Sequence, residues 1–281
     1  MSVAAPGSHG TAIALTIAGS DSSGGAGIQA DIKTFSAFGV YGASVITALT
    51  AQNTRGVAGV HSTPVAFVTA QLDAVASDLA IGAVKTGMLA TREAVLAVCE
   101  GIKRHRLAPL VADPVMVATS GDVLLDADAI DAVRRELIPL AALITPNLLE
   151  AARLLDERPA GTMAEMEAQA RALVARFGAR NVLIKGGHGA GAEAVDVLLV
   201  DGAAHALSKP RLNVKNTHGT GCTLSAAIAA LLAQGVPLVE AATRAKAYVW
   251  QALAAGEGLG VGHGNGPVDH LYAIRSHGLP A

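Results

Sequence analysis

Aromatic side chains are nearly absent. Phe, Trp and Tyr make up 3% of the 281 residues, so a large core has to be built from Ala, Val, Leu and Ile, which dominate a 51% apolar composition. Charge is also scarce and balanced. The formal net charge is −2, with no basic run and no basic residues interleaved with aromatics, which argues against nucleic acid as a partner. No apolar stretch reaches about 18 residues without a glycine or a charge, so no membrane span is expected. The two cysteines, Cys99 and Cys222, are far apart and form no CxxC. That excludes a disulfide or zinc framework and points to the cytoplasm. The N-terminus, Met1–Gly10, lacks the basic region and apolar core of a secretory signal and reads as a disordered tail. There is no Walker motif, no internal repeat and no composition shift. The expectation is one domain over residues 11–275.

What is present is an alternation of short apolar runs with helical patterns. Strands are expected at Thr11–Ala18, Tyr41–Ala48, Ala83–Lys85, Leu110–Ala112, Leu143–Thr145 and Asn181–Ile184. A hairpin is expected at Val195–Val200 and His205–Ser208, around Asp201-Gly202. Helices are expected at Ile28–Phe38, Pro64–Ser77, Glu93–Arg104, Ala127–Leu137, Leu148–Leu155, Met163–Phe177, Leu224–Ala233 and Leu238–Ala255. The run Arg211–Lys215 reads as β-like. The order predicts an α/β fold with a central, mainly parallel sheet flanked by helices on both faces. Ligands of such sheets bind beyond the carboxyl ends of the strands. Gly19, Asp21, Gln52, Lys85, Met88, Asp113, Asn147, Glu150 and Lys185 all fall at expected strand ends or just after them.

The stretch Asn216-Thr-His-Gly-Thr-Gly-Cys222-Thr leads into a small-residue helix. Gly219, Thr220 and Gly221 would bare backbone N–H groups at a helix start, where an anion is stabilised. Cys222 would sit at about the first helical position, where a thiolate is favoured. It reads either as a base or as a small packed residue. Gly25-Ala-Gly27-Ile-Gln-Ala30 formally matches a dinucleotide fingerprint, but the strand ends too early and no acidic residue ends the second strand. A flap over a small substrate suits this loop better. Asp31 reads as a helix-dipole partner or as a carboxylate for a ring nitrogen or amine. Gln52 offers a donor and acceptor pair, or is an ordinary loop residue. Asn147 and Glu150 read as a capping box or, alternatively, as an amide and a carboxylate beside magnesium. Lys185 and Lys246 would neutralise phosphates, and Asp113 with Glu150 would position Mg2+. Together these residues describe phosphoryl transfer, which needs positioning and electrostatics more than covalent chemistry.

Taken in order, Thr16–Asp31, Ala51-Gln-Asn-Thr54, Lys85-Thr-Gly-Met-Leu89, Asp113-Pro-Val-Met116, Thr145-Pro-Asn147, Lys185-Gly-Gly-His188, Asn216–Cys222 and Val261–Val268 resemble the hydroxymethylpyrimidine/phosphomethylpyrimidine kinases of the ribokinase-like superfamily. The resemblance runs from Leu15 to about His270. It implies a three-layer α/β/α fold, a homodimer, and two successive ATP-dependent phosphorylations of a pyrimidine alcohol in thiamine biosynthesis. It places the pyrimidine against Gly19, Asp31, Gln52, Met88 and Val115. It places ATP and magnesium against Asp113, Asn147, Glu150, Lys185, Thr217 and Lys246. Cysteine at 222, where most of the superfamily has aspartate, is typical of the pyrimidine kinases and of some pyridoxal kinases. The family often has proline at Ser22, lysine at Thr119 and proline at Leu149. Thr119 removes a cation beside Asp113-Pro-Val-Met116. The rival expectations are a pyridoxal or pyridoxine kinase and a non-catalytic pyrimidine-binding regulatory domain.

Overall fold

In the computed structural model, residues 10–116, 127–187 and 191–277 are described. Thr119, His188 and most of the N-terminal tail lie outside them. Nine strands form one sheet in the order β3-β2-β1-β4-β5-β6-β7-β8-β9. Six of them run parallel: β2 (Tyr41–Asn53), β1 (Ile13–Asp21), β4 (Ala83–Thr86), β5 (Leu110–Ala112), β6 (Leu143–Ile144) and β7 (Val182–Ile184). Antiparallel strands close both edges, with β3 (Gly56–Ser62) on β2, and β8 (Glu193–Val200) and β9 (Ala203–Pro210) beyond β7.

The central strands are largely apolar because both faces are covered, with Thr16, Lys85 and Thr86 as buried polar exceptions. Leu15 and Ile17 of β1 face α2 (Val65–Ala76) and α3 (Arg92–His105) in one core. The same core takes in α4 (Ala127–Ala132), α5 (Leu148–Leu155) and α6 (Met163–Phe177). Ala14, Val111, Leu143 and Leu183 face the other way, against α1 (Gly27–Ala37), α7 (Thr220–Ala233) and α8 (Leu238–Gly256). A last helix, α9 (Tyr272–His277), follows the glycine-rich tail. Alternation along each strand thus produces the three layers.

Several expectations shift. β1 runs to Asp21, past Gly19, and α1 begins at Gly27. β2 runs on to Asn53, so Gln52 is a strand residue paired with Val57 of β3, a strand not read from the sequence. Gly56–Ser62 is largely exposed and lacks a clean period-2 pattern, which hid it. The expected helix at Ala127–Leu137 is α4 followed by a π turn, Val133–Leu137. Arg211–Lys215 is not a strand: β9 ends at Pro210, and this segment only carries the chain to α7.

Candidate active site

Strand order reverses between β1 and β4, which is where ligands bind in open α/β sheets. A cleft of about 990 Å³ opens there, beyond the carboxyl ends of the parallel strands. Gly19 and Asp21 of β1, Gln52 of β2, Lys85 of β4 and Met88 after it, Asp113 and Val115 after β5, Asn147 and Glu150 at the start of α5, and Lys185 after β7 all line it. Thr217, Gly219, Thr220, Gly221 and Cys222 close it from one side, and Lys246 of α8 lies further along.

Gly219 caps α7 in the left-handed region at φ 79°. A Cβ there would lie 1.8 Å from the Gly25 carbonyl oxygen, so the loop before α1 and the loop before α7 can touch only through bare backbone. At Gly221 a Cβ would come 3.1 Å from Lys185 Nζ; glycine leaves that ammonium room against the helix start. Cys222 is the third residue of α7, not the first. Its thiol also receives the Gly27 N–H at the start of α1, so two helix N-termini converge on it. Even so, burial pushes the thiol above its ordinary range, with Lys85 pulling back and Asp31 and Asp113 adding to the rise. The expectation of a stabilised thiolate is corrected, because desolvation outweighs the helix ends.

Lys85, Lys185 and Lys246 of the cleft are each paired with a carboxylate. Lys185 Nζ lies 2.7 Å from Asp113 Oδ1 and 3.9 Å from Glu150 Oε2. Burial would raise the Asp113 carboxyl, but Lys185 and Lys85 hold it below its usual range. Glu150 is pushed up to about 7, chiefly by burial, against the pull of Lys185. Lys246 Nζ lies 2.7 Å from Asp196 Oδ2, whose other oxygen accepts from Gly186 N. Asn147 and Glu150 do form a capping box, and Glu150 also accepts from the Met116 backbone N–H.

Asp31 is the exception. It is fully buried and does not line the cleft. Its carboxylate accepts from Thr16 Oγ1 at 2.6 Å and from Lys85 Nζ at 2.8 and 2.9 Å. Burial drives the carboxyl up and Lys85 draws it back; the two-pronged contact marks a charged pair. Direct contact of Asp31 with a substrate ring is therefore corrected: it reaches the cleft only through Lys85.

Asp21 and His218 were not assigned roles from the sequence. Asp21 accepts from Ser23 N, Ser23 Oγ, Gly25 N and Ala26 N, and lies 2.8 Å from His218 Nε2. These bonds bring its carboxyl down to about 2 in spite of burial. The expected flap is thus a loop tied down by its own first residue. Position next to Gly219 was the only signal for His218.

The profile of the family described as Phosphomethylpyrimidine kinase matches residues 21–269. The chain belongs to this family. It is 56% identical over 262 residues to a hydroxymethylpyrimidine/phosphomethylpyrimidine kinase of Rhizobium meliloti, covering 93% of this chain and 98% of that one. A Clostridium difficile phosphomethylpyrimidine kinase structure superposes with a TM-score of 0.76 at 42% identity, over 85% of this chain and 98% of that one. The ADP complex of Bacillus subtilis pyridoxal kinase superposes with 0.87 at 38%, over 95% and 99%. The fold is ribokinase-like, and the chain is a phosphotransferase, which removes the reading as a regulatory domain. The pyrimidine kinase stands at higher identity than the pyridoxal kinase, so the pyrimidine reading is the one kept.

Proposed function

We propose that residues 11–275 form one kinase unit that phosphorylates 4-amino-5-hydroxymethyl-2-methylpyrimidine and then its monophosphate, using ATP, as a step of thiamine biosynthesis. The observation that carries this is a single cleft in which Cys222 and the Gly219–Gly221 backbone face Lys185, Asp113 and Glu150, with Gln52 and Met88 at the other end. In the first step the acceptor hydroxyl oxygen forms a bond to the γ-phosphorus. The bond from that phosphorus to the β-phosphate bridging oxygen breaks, and ADP leaves. The hydroxyl proton passes to Cys222 Sγ in its thiolate form, which burial makes the minor form at neutral pH. Backbone N–H groups of Gly219 and Gly221 and the Lys185 ammonium hold the charge on the transferring group; the expected part of Thr220 is corrected, since its N–H donates to the Thr217 carbonyl oxygen. In the second step the acceptor is a phosphate monoester, already largely ionised with a pKa of about 6, and needs no base.

Magnesium fits the donor set. Lys85, Lys185 and Lys246 are each matched by a carboxylate, Asp31, Asp113 and Asp196, so these three ammonium groups bring little net charge to a triphosphate. Asp113 and Glu150 offer two carboxylates, and no cluster of three possible ligands exists among the described residues. That suits an ion which keeps most of its waters. When bound, it would neutralise phosphate charge.

A homodimer is the assembly we propose. Strand β3 is last in the sheet order on its side, and Leu49, Val60 and Phe67 are exposed near it. Sedimentation near twice the 28.2 kDa chain mass is expected; a lone 28.2 kDa species refutes it. Two free thiols fit the cytoplasm, and among the described residues no helix is long and apolar enough to cross a membrane. The test of the function is turnover by the purified protein with ATP and, separately, the pyrimidine alcohol, its monophosphate and pyridoxal. Faster turnover of pyridoxal than of either pyrimidine would overturn the reading.

A further inference from the structure

His218 stands between two groups that make opposite demands on it. Its Nε2 lies 2.8 Å from Asp21 Oδ2 and 3.5 Å from Gln52 Nε2. Asp21 is ionised, held so by its loop amides and by His218, and a carboxylate only accepts. His218 Nε2 must therefore carry a proton, whether the ring is neutral or charged. The amide nitrogen of Gln52 also only donates, so with it turned towards His218 two donors oppose each other. The other end of the same amide has the converse fault. Thr50 Oγ1 lies 2.9 Å from Gln52 Oε1 and 3.0 Å from the Ser20 carbonyl oxygen, and one hydroxyl proton cannot serve both acceptors. Turning the amide over leaves the Thr50 proton one acceptor and replaces the donor–donor contact at His218 with a donor–acceptor one, although the single Nε2 proton still points chiefly at Asp21, 2.8 Å away. Thr50 then donates to Ser20 and accepts from Gln52 Nε2, while Gln52 Oε1 faces the proton on His218. The two orientations have nearly the same shape, and only the hydrogen-bond network distinguishes them.

We infer that Asp21 and His218 are positioning residues that hold the Gln52 amide with its oxygen towards His218 and its nitrogen towards Thr50, and so select the ring edge the cleft accepts. This rests on the reading that Gln52 pairs with the pyrimidine. The oxygen accepts from an exocyclic amine at the His218 end, and the nitrogen donates to the adjacent ring nitrogen at the Thr50 end. On the pyrimidine alcohol, the amine lies between that ring nitrogen and the carbon bearing the hydroxymethyl group. The held amide therefore sets the hydroxymethyl group on the His218 side, next to Gly219–Cys222. The reversed amide would pair with the same edge back to front and turn the hydroxymethyl group away from that loop.

The test uses the full-length enzyme and two acceptors, the 4-amino pyrimidine alcohol and its 4-oxo counterpart, whose ring N–H and carbonyl reverse donor and acceptor. The wild type should prefer the amine by on the order of 10,000-fold in kcat/KM, the scale on which sites reject a mismatched polar edge. His218→Leu frees the amide to turn, and the preference should fall roughly 10-fold or more. His218→Gln, which keeps an N–H for Asp21, should stay near the wild type. An equal loss for both acceptors in His218→Leu, with the preference intact, would mean that the histidine only supports the loop, and the inference fails. Gln52→Ala separates this from the reading beneath it: an unchanged preference there means that Gln52 does not read the ring. A measurement on the unaltered protein does not depend on any variant folding. In protein labelled with 15N at glutamine, the Gln52 side-chain NH2 should show nuclear Overhauser contacts to the Thr50 methyl group. Contacts to the His218 ring instead would overturn the inference.

Discussion

Cys222 is the residue at which the two phosphorylations should diverge. Only the first acceptor carries a proton that must be removed, so Cys222→Ala should slow the first step by roughly 100- to 10,000-fold, the usual range for general-base loss. The second step should change by less than about 10-fold, because its acceptor is ionised near pH 6 and above. Single-step assays with the alcohol and the monophosphate read the two separately, and equal slowing would assign Cys222 to geometry alone. Burial raises the thiol, so the first step should accelerate with rising pH into the alkaline range while the second does not. The geometry also explains why charge is handled indirectly in this cleft. Asp31 acts through Lys85, and Asp196 through Lys246. Each cation is thereby held in place by a buried carboxylate.

At the scale of elements, α7 decides where the anion-binding backbone sits. Ala226, Ala227, Ala229 and Ala230 are all fully buried. These small side chains let the helix lie close under β1, β4 and β5, with its first turn at the strand ends. Ala226→Leu should destabilise the protein by about 1–3 kcal/mol through overpacking, read as a lower urea midpoint. It should also cost turnover in both steps, since it displaces Gly219–Cys222; full activity at reduced stability would show that the helix position is not what sets the site. The same first turn is stitched from behind. His218 N donates to Gly266 O, Asn216 Nδ2 donates to Gly256 O, and Thr54 Oγ1 accepts from the His263 and Gly264 amides. The glycine-rich tail thus ties the end of β2, next to Gln52, to the loop that opens α7.

For the molecule as a whole, pH dependence of stability follows from buried groups in and behind the cleft. His270 is buried, with Nε2 3.1 Å from Thr223 Oγ1. Burial, with Lys33 adding to it, lowers its pKa to about 4. Between about pH 6.5 and 4 the unfolded chain binds a proton there that the folded chain refuses, so stability falls as pH falls, by up to about 3 kcal/mol. Glu150, raised to about 7, has the opposite sign: between about pH 7 and 4.5 the folded chain binds the extra proton, and stability rises as pH falls. The wild-type slope is the difference of the two. Urea unfolding of His270→Asn from pH 7 to 4.5 should therefore lose the falling contribution; a slope identical to the wild type would remove His270 from the account. Much of this architecture was legible beforehand. Apolar period and turn chemistry are local, so they located β1, β2, β4 to β9 and most helices, and the strand-end rule gathered Gly19, Gln52, Met88, Asp113, Lys185 and Cys222 into one cleft. β3 escaped because its solvent-facing residues carry no clear period. What the tertiary structure alone decided was pairing. Asp31 meets Lys85 across 54 residues and His218 meets Asp21 across 197, and whether a thiol is raised or lowered depends on every charge within a few ångströms. Those distances belong to the folded chain: the amino-acid order determined which groups reach the strand ends, and packing determined which of them face a ligand and which face each other.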